Sequence, residues 1–215
     1  MRISEVIIRE FSAKDKKMIR VEELKELCRK YDFDFSNTKK LMLNRGYFLP
    51  VFRGIYYLKD YNERKTGVVN YSAVELVSEG LRVMNIRWYF GLHTAIKLLG
   101  LTHEVFSVYY IINEKFSRSM ALNVAGSKFV FKKMKPSLFF GIKKMKTSGG
   151  IIINCSNLEK TILDFVYLYK KEGKSDKTVL GVLREYDEDI NKKKVLRYAS
   201  TYMPSIKKLV TGGLV

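Results

Sequence analysis

Residues 21–59 decide the fold and read VEELKELCRKYDFDFSNTKKLMLNRGYFLPVFRGIYYLK. Val21, Leu24, Cys28 and Tyr31 recur at the spacing of one helical face, and charged side chains fill most positions between them. This pattern predicts an amphipathic helix whose apolar stripe faces a core. Cys28 lies on that stripe, so we interpret it as a core residue rather than a nucleophile.

A second helix and a hairpin are predicted to follow. The polar break at residues 32–36 leads into a helix of about ten residues that ends at Arg45, where Gly46 supplies a stop. Two short apolar runs come next, residues 47–51 and 54–58, and only two residues separate them. Such spacing is typical of a tight β-hairpin.

This order of elements is that of a winged helix-turn-helix, and an earlier segment, residues 3–11, completes a three-helix core. A recognition helix needs short amide and hydroxyl side chains to reach base edges, and lysine or arginine to contact phosphates. The predicted DNA-binding residues are Ser36, Asn37, Lys39, Lys40, Asn44 and Arg45 of the second helix, with Arg53 at the tip of the wing. The alternative interpretation is a solvated helix face, because lysine and asparagine are ordinary surface residues.

The remainder of the chain predicts a second domain. We place the boundary in the polar stretch 61–67, which gives a winged helix over residues 1–66 and an α+β domain over residues 67–215. That domain is expected to have a small sheet and C-terminal helices. Strands are predicted at 105–112, 128–134, 138–146 and 150–155, and helices at 72–82, 91–100, 156–169, 177–186 and 191–202, with a last short turn from Pro204.

The charge balance points to an anionic partner. The chain carries 40 basic and 22 acidic side chains, a net charge of +18, and nucleic acid is the commonest partner of such a protein. Residues 115–146 hold nine basic side chains and no acidic one. We predict one basic patch on the second domain, formed by Lys128, Lys132, Lys133, Lys143, Lys144 and Lys146. The alternative is that these lysines protect edge strands from aggregation.

Several protein classes are excluded. Charged side chains interrupt both the N-terminal segment 1–11 and the apolar stretch 83–101, so we expect neither a signal peptide nor a membrane span. Two cysteines, Cys28 and Cys155, give no disulfide framework and no zinc-ribbon spacing. We therefore expect a reduced, cytoplasmic protein with no membrane partner.

The sequence also predicts no catalytic residue, cofactor or metal. His93 and His103 are ten residues apart, and no pair of carboxylates has ligand spacing with them. The chain lacks both a phosphate-binding G-x-x-x-x-G-K-[ST] loop and a G-x-G-x-x-G run. Glu159 and Asp164, five residues apart on one predicted helix, point about 140° away from each other. We expect a protein that is not an enzyme.

Three stretches in this order resemble a known family. They are RGIYYL at 53–58, WYFGLHTAIKLLGLTHEVFSVYYIINEKFSR at 88–118 and IIINCSNLEKTILDF at 151–165. Together they resemble the AbiEi-type antitoxins, which are predicted transcriptional regulators of viral defence in abortive-infection, type IV toxin–antitoxin systems. The resemblance extends over about residues 21–169. It implies a winged helix that binds inverted repeats in double-stranded DNA at its own promoter, and a second domain that neutralises a nucleotidyltransferase-like toxin.

Three functions compete on these grounds. The first is a DNA-binding repressor that is also an antitoxin. The second is a stand-alone winged-helix transcription factor whose C-terminal domain senses a ligand or dimerises. The third is a nucleic-acid-processing enzyme, which would need clustered carboxylates that the basic strand region lacks. A neighbouring gene for a nucleotidyltransferase-like toxin would separate the first function from the second.

Overall fold

The computed structural model describes residues 2–104 and 107–214 and divides the chain into two compact units. The first unit comprises Met1–Asn85, Val124–Gly126 and Ser148–Ile151, and the second comprises Ile86–Asn123, Ser127–Thr147 and Ile152–Val215. Both units mix helices with a sheet, which confirms the predicted α+β class. The predicted boundary after residue 66 falls within the first unit.

The first unit begins with the topology of a winged helix. Its elements are α1 (Ile3–Ser12), β1 (Met18–Arg20), α2 (Val21–Lys30), α3 (Phe35–Asn44), β2 (Phe48–Phe52) and β3 (Ile55–Leu58). The three strands form an antiparallel sheet in the order β1-β3-β2. The sequence did not predict β1, because three residues are too few to show a strand period.

One buried cluster joins helices α1, α2 and α3 to the three-stranded sheet. Ile7 of α1, Leu24 of α2 and Met42 of α3 are completely buried, as is Ile19 of β1. Cys28 lies in the same cluster, and burial raises the pKa of its thiol. The predicted apolar stripe of α2 is therefore the side that fixes the orientation of α3.

The polar stretch that we predicted as a linker forms a helix, α4 (Tyr61–Thr66). The Asp60 carboxylate accepts a hydrogen bond from the backbone N–H of Glu63 at 2.9 Å, and the Glu63 carboxylate accepts one from the N–H of Asp60 at 2.8 Å. The Tyr57 hydroxyl donates to buried Glu63 at 2.7 Å. This capping box and the tyrosine hold the stretch against β3 as part of the first unit.

Helix α5 (Ala73–Val83) completes the first unit. Ser72 and Glu75 form the predicted capping box at its start. A Cβ on Gly80 would lie 2.7 Å from the Phe52 ring, so only glycine allows α5 to approach the wing this closely.

The second unit contains a mixed six-stranded sheet and five helices among the described residues. The strands are β4 (Trp88–Phe90), β5 (Val108–Asn113), β6 (Leu122–Val124), β7 (Ser127–Lys133), β8 (Ile142–Lys146) and β9 (Ile152–Ser156), in the order β6-β7-β5-β4-β9-β8. The helices are α6 (Leu92–Leu98), α7 (Leu158–Lys171), α8 (Asp176–Glu185), α9 (Lys192–Ala199) and α10 (Pro204–Gly213). Strands β5 and β7 run parallel, as do β4 and β9, whereas the β4–β5 and β8–β9 pairs are antiparallel.

Two predicted strands need correction. The first two residues of the predicted strand 105–112 lie outside the described residues, Ser107 is a bend, and residues 108–112 belong to β5. In the predicted strand 138–146 only residues 142–146 are extended, because Pro136 starts a 3₁₀ turn over Pro136–Leu138.

The helices of the second unit share one core with the sheet. Ile162 and Val166 of α7 are completely buried among side chains of β4 and β5 and of the C-terminal helices. The predicted short turn at Pro204 is a full helix, α10, because Ile206 and Val210 recur one turn apart and bury against this core. Over the described ranges, no helix is both long enough and apolar enough to cross a bilayer.

Candidate nucleic-acid interface

Helix α3 presents a polar face away from the core. Successive residues of a helix are rotated by about 100°, so one set of four exposed side chains falls within an arc of about 100°. These side chains are Ser36, Asn37, Lys40 and Asn44. The buried side chains Thr38 and Met42 lie on the opposite side. The structure thus brings together four of the seven predicted residues on one exposed helical face.

Asp34 fixes the first turn of α3. Its carboxylate accepts a hydrogen bond from the backbone N–H of Asn37 at 2.7 Å, which leaves the side chains of Ser36 and Asn37 exposed.

Lys39 and Arg45 flank the exposed face rather than lying within it. The Lys39 side chain is half-buried, and its ammonium lies 5.6 Å from the centroid of the Phe35 ring. Arg45 is the exposed C-cap of α3, and the chain turns immediately after it through Gly46, whose φ is +68°. Both residues lie at the margins of the exposed polar face of α3.

The tip of the wing is tied to the start of α2. Gly54 has a φ of +79°, and its carbonyl accepts a hydrogen bond from the backbone N–H of Val21 at 2.8 Å. Arg53, the preceding residue, is exposed. The wing therefore carries Arg53 on a short hairpin that a backbone hydrogen bond fixes relative to the helix-turn-helix.

Ion pairs engage some basic side chains elsewhere in the first unit. Lys16 pairs with Glu23, and Lys30 pairs with Glu10 at 3.3 Å. Hydrogen bonds from Tyr31 and Lys30 hold the pKa of Glu10 below its usual value. By contrast, within residues 2–104 and 107–214, no salt bridge forms at any predicted DNA-binding lysine or arginine; these are Lys39, Lys40, Arg45 and Arg53. The predicted surface keeps its positive charges available to an external anion.

The predicted basic patch of the second unit is not one continuous face. Strand β7 carries Lys128, Lys132 and Lys133, and β8 carries Lys143, Lys144 and Lys146. Three strands lie between β7 and β8, which places them about 19 Å apart at the usual strand spacing. The single patch was therefore wrong: the lysines form two separate groups.

Within each of the two groups, contacts and strand geometry also keep the lysines from forming one common surface. The Lys132 ammonium contacts the Glu172 carboxylate at 2.8 Å, so a partner distant in sequence neutralises it. Alternation along β8 directs Lys143 to the opposite face from Lys144. Because β8 is an edge strand, its lysines also fit the alternative interpretation of edge protection.

The third family-like stretch carries a buried ionic network. Lys160 and Asp164 are completely buried and form a salt bridge one turn apart on α7. The Lys160 ammonium also donates to the Tyr89 hydroxyl at 3.0 Å and to the Tyr202 hydroxyl at 2.8 Å. Tyr89 and Tyr202 donate in turn to Asp164 at 2.8 and 2.7 Å. All three ammonium protons therefore have acceptors.

Burial governs protonation in this network. It lowers the pKa of Lys160, while the negative charge of Asp164 acts in the opposite direction. Burial, followed by the charge of Asp164, raises the pKa values of Tyr89 and Tyr202 well above their ordinary range. Sequence reasoning compared Asp164 with Glu159 and missed Lys160; the Lys–Asp spacing of four residues on an apolar helix was the available signal.

A small cavity of about 110 Å³ lies between the sheet and helices of the second unit. Its walls include His93, Tyr110, Phe165 and Tyr169, with Glu172 beside them. The imidazole of His93 packs edge-on against Phe165 at 4.8 Å between ring centroids, and burial lowers its pKa. The arrangement can accept a small planar group between the His93 imidazole, whose lowered pKa favours the neutral form, and the Lys132–Glu172 ion pair.

Metal and thiol chemistry find little support here. In the parts of the chain that the structure describes, no three His, Cys, Asp or Glu side chains lie close enough together to hold a metal ion. Cys155 is buried, and burial raises the pKa of its thiol to about 12. A thiol protonated at physiological pH is a poor nucleophile.

The comparisons with known proteins provide information about the fold and none about the function. No family model matches the chain, and no curated protein matches it. The crystal structure of the RV2827C protein from Mycobacterium tuberculosis is similar, with a TM-score of 0.60 and 11% sequence identity over 99% of this chain and 76% of that one. At this identity the likeness shows a shared fold along nearly the whole chain.

Proposed function

We propose that this protein is a cytoplasmic, non-enzymatic DNA-binding repressor that controls its own operon. One observation carries the proposal: the exposed polar face of α3 lies next to a wing that presents Arg53, and in the described part of the chain neither Lys40 of that face nor Arg53 forms a salt bridge. Amide and hydroxyl side chains on this face have the chemistry for base edges, and Lys40 and Arg53 have the chemistry for phosphates. The partner is double-stranded DNA with inverted repeats.

We further propose that the second unit is an antitoxin toward a nucleotidyltransferase-like toxin. The support is the resemblance of residues 88–118 and 151–165 to the AbiEi-type antitoxins. Those stretches contain β4, α6, β5, β9 and most of α7, which supply three adjacent strands of the six-stranded sheet and a buried helix of the unit. The resemblance therefore concerns the internal framework of this unit and does not locate a toxin-binding surface.

A second candidate function is a winged-helix regulator that senses a small ligand. The aromatic cavity beside His93 favours it, because most binding pockets are lined by apolar and aromatic side chains with a few polar groups. Leu92, at the start of α6 and in the cavity wall, has a φ of +53°, a strained conformation that is found more often at ligand sites than elsewhere.

Binding to the promoter region of its own operon tests the DNA-binding proposal. The full-length protein is titrated against that duplex and a scrambled duplex by fluorescence anisotropy at several salt concentrations. We expect preference for the promoter of about 10³-fold or more, with affinity that falls steeply with salt. The double variant Lys40→Ala/Asn44→Ala should lose this preference, whereas Lys30→Ala, a charge-matched control outside the face, should keep it. Equal affinity for both duplexes would refute the proposal that the protein is a sequence-specific repressor.

Co-expression tests the antitoxin proposal separately. A nucleotidyltransferase-like gene next to this one is expressed with and without the protein, and growth is recorded. We expect growth arrest by the toxin alone and recovery with the wild-type protein and with the Lys40→Ala/Asn44→Ala variant. The absence of such a neighbour, or of recovery, would favour the ligand-sensing regulator.

A further inference from the structure

Phe35 lies under two lysine side chains at the start of the recognition helix. It is the first residue of α3 and is half-buried. The Lys25 ammonium, from α2, lies 5.3 Å from the centroid of its ring, and the Lys39 ammonium, from α3, lies 5.6 Å from the same centroid. The ring thus connects the two helices of the helix-turn-helix through two cations.

We infer that Lys25, Phe35 and Lys39 form one phosphate-binding site, which we name the Lys–Phe–Lys clamp. The inference rests on the proposed DNA-binding function and extends it. Sequence reasoning placed Lys39 in the interface but included neither Lys25 nor Phe35. The clamp extends the proposed DNA-binding surface from α3 to α2. The two ammonium groups bind the phosphates, and the aromatic ring positions the ammonium groups.

The electrostatics of the clamp favour the binding of an anion. Because both ammonium groups lie within 6 Å of one centroid, they are no more than about 11 Å apart and repel each other. Throughout residues 2–104 and 107–214 neither lysine forms a salt bridge, although Glu22 and Glu26 flank Lys25 along α2. The neighbouring Asp34 carboxylate is engaged with the backbone of Asn37.

The spacing of the charges suits a DNA strand. Each strand of the duplex carries a phosphate about every 3.4 Å along the axis, so two cations within about 11 Å meet phosphates of the same strand. The face of the ring attracts both ammonium groups, which restricts two flexible side chains before DNA arrives. Lys25 and Lys39 therefore lose less conformational freedom on binding than free lysines would.

The salt dependence of DNA binding distinguishes a phosphate-binding role of these three residues from a purely structural role. The full-length protein and the variants Lys25→Ala, Phe35→Leu and Phe35→Tyr are titrated with the promoter duplex at several salt concentrations, with Lys30→Ala as control. Each lost phosphate contact reduces the slope of log K against log salt by about 0.9. We expect Lys25→Ala to reduce the slope by about this amount and to weaken binding about 3- to 10-fold at moderate salt, with no change in base preference.

The aromatic variants test positioning. Phe35→Leu keeps an apolar side chain but removes the ring, so we expect a reduced slope and weaker binding; Phe35→Tyr keeps the ring and should restore both. Thermal melting by circular dichroism shows whether each variant is folded. If Phe35→Leu does not fold, Lys25→Ala decides alone, because Lys25 is exposed and its loss leaves the core intact.

The outcomes distinguish the clamp from the proposed function. If the wild-type protein binds the promoter and Lys40→Ala/Asn44→Ala abolishes the preference, while Lys25→Ala equals the Lys30→Ala control, the clamp is refuted and DNA binding stands. If the wild-type protein shows no salt-dependent affinity for DNA, the proposed function fails and the clamp fails with it.

Discussion

Replacing Asp164 by asparagine should destabilise the second unit far more than a change of one atom suggests. The variant keeps the size of the side chain but removes the negative charge that contacts the buried Lys160 ammonium. Breaking a buried ion pair from one side costs about 3–5 kcal/mol, because the remaining charge is left without compensation. The two tyrosine hydroxyls keep their contacts with Lys160, at 3.0 and 2.8 Å. They donate to different oxygens of Asp164, so asparagine also leaves one of them without its acceptor, which adds to the loss.

The effect of pH identifies the cause. Burial holds the pKa of Lys160 below its ordinary value, and Asp164 opposes that effect in the wild-type protein. Without Asp164 the folded-state pKa falls further, so the unfolded state binds more protons over the range between the two pKa values. Stability of the variant should therefore rise with pH in that range, up to the unfolded pKa of about 10.4.

Denaturant unfolding of the full-length protein between pH 6 and 9 measures both effects. The double variant Lys160→Met/Asp164→Leu, which removes both charges, should recover only part of the loss. It leaves no unpaired charge, but the buried hydroxyls of Tyr89 and Tyr202 lose their partners in the network. A loss below about 1 kcal/mol in Asp164→Asn throughout this pH range would refute an uncompensated Lys160. A large loss that does not change with pH would show that Lys160 stays ionised in the folded variant.

Three further predictions concern the first unit and the lysines. Asn37→Ala and Asn44→Ala should each relax the preference for particular bases by about 1–3 kcal/mol, measured with single-base substitutions in the promoter duplex; unchanged preference would show that these side chains contact only solvent. Gly54→Ala should lower stability by about 1–2 kcal/mol in a thermal melt, because the residue has a φ of +79° and a Cβ would approach Val21 to 3.1 Å; an unshifted melting temperature would contradict the strain. Lys132→Glu should destabilise the protein by placing a negative charge beside Glu172, whereas Lys144→Glu on the edge strand should not; equal melting temperatures would refute the difference.

Local pattern predicted the winged helix well. The stripe of α2 and the turn at Gly46 are consequences of residues close together in sequence, and so is the hairpin around Arg53. Helix α4 was missed because its polar composition resembles a linker. Its stability comes from Asp60 and Glu63 together with a tyrosine of β3.

For the candidate sites, too, the local sequence pattern did not show which distant residues the fold brings together. The basic patch was wrong because charge counting contains no strand order, and three strands lie between β7 and β8. The Lys–Phe–Lys clamp was missed because Lys25 and Phe35 belong to different helices. Periodicity places a residue on a face of its own helix, but it does not show which side chain of the next helix lies opposite.

The bond between the Gly54 carbonyl and the Val21 N–H has a thermodynamic consequence. A wing that is already ordered in the free protein does not have to fold when DNA arrives. Calorimetry of promoter binding should then show a heat-capacity change that matches the apolar surface removed from water, without the excess that accompanies coupled folding. Sequence discrimination would come from rigid complementarity, so a base pair that does not fit meets a surface unable to adapt to it.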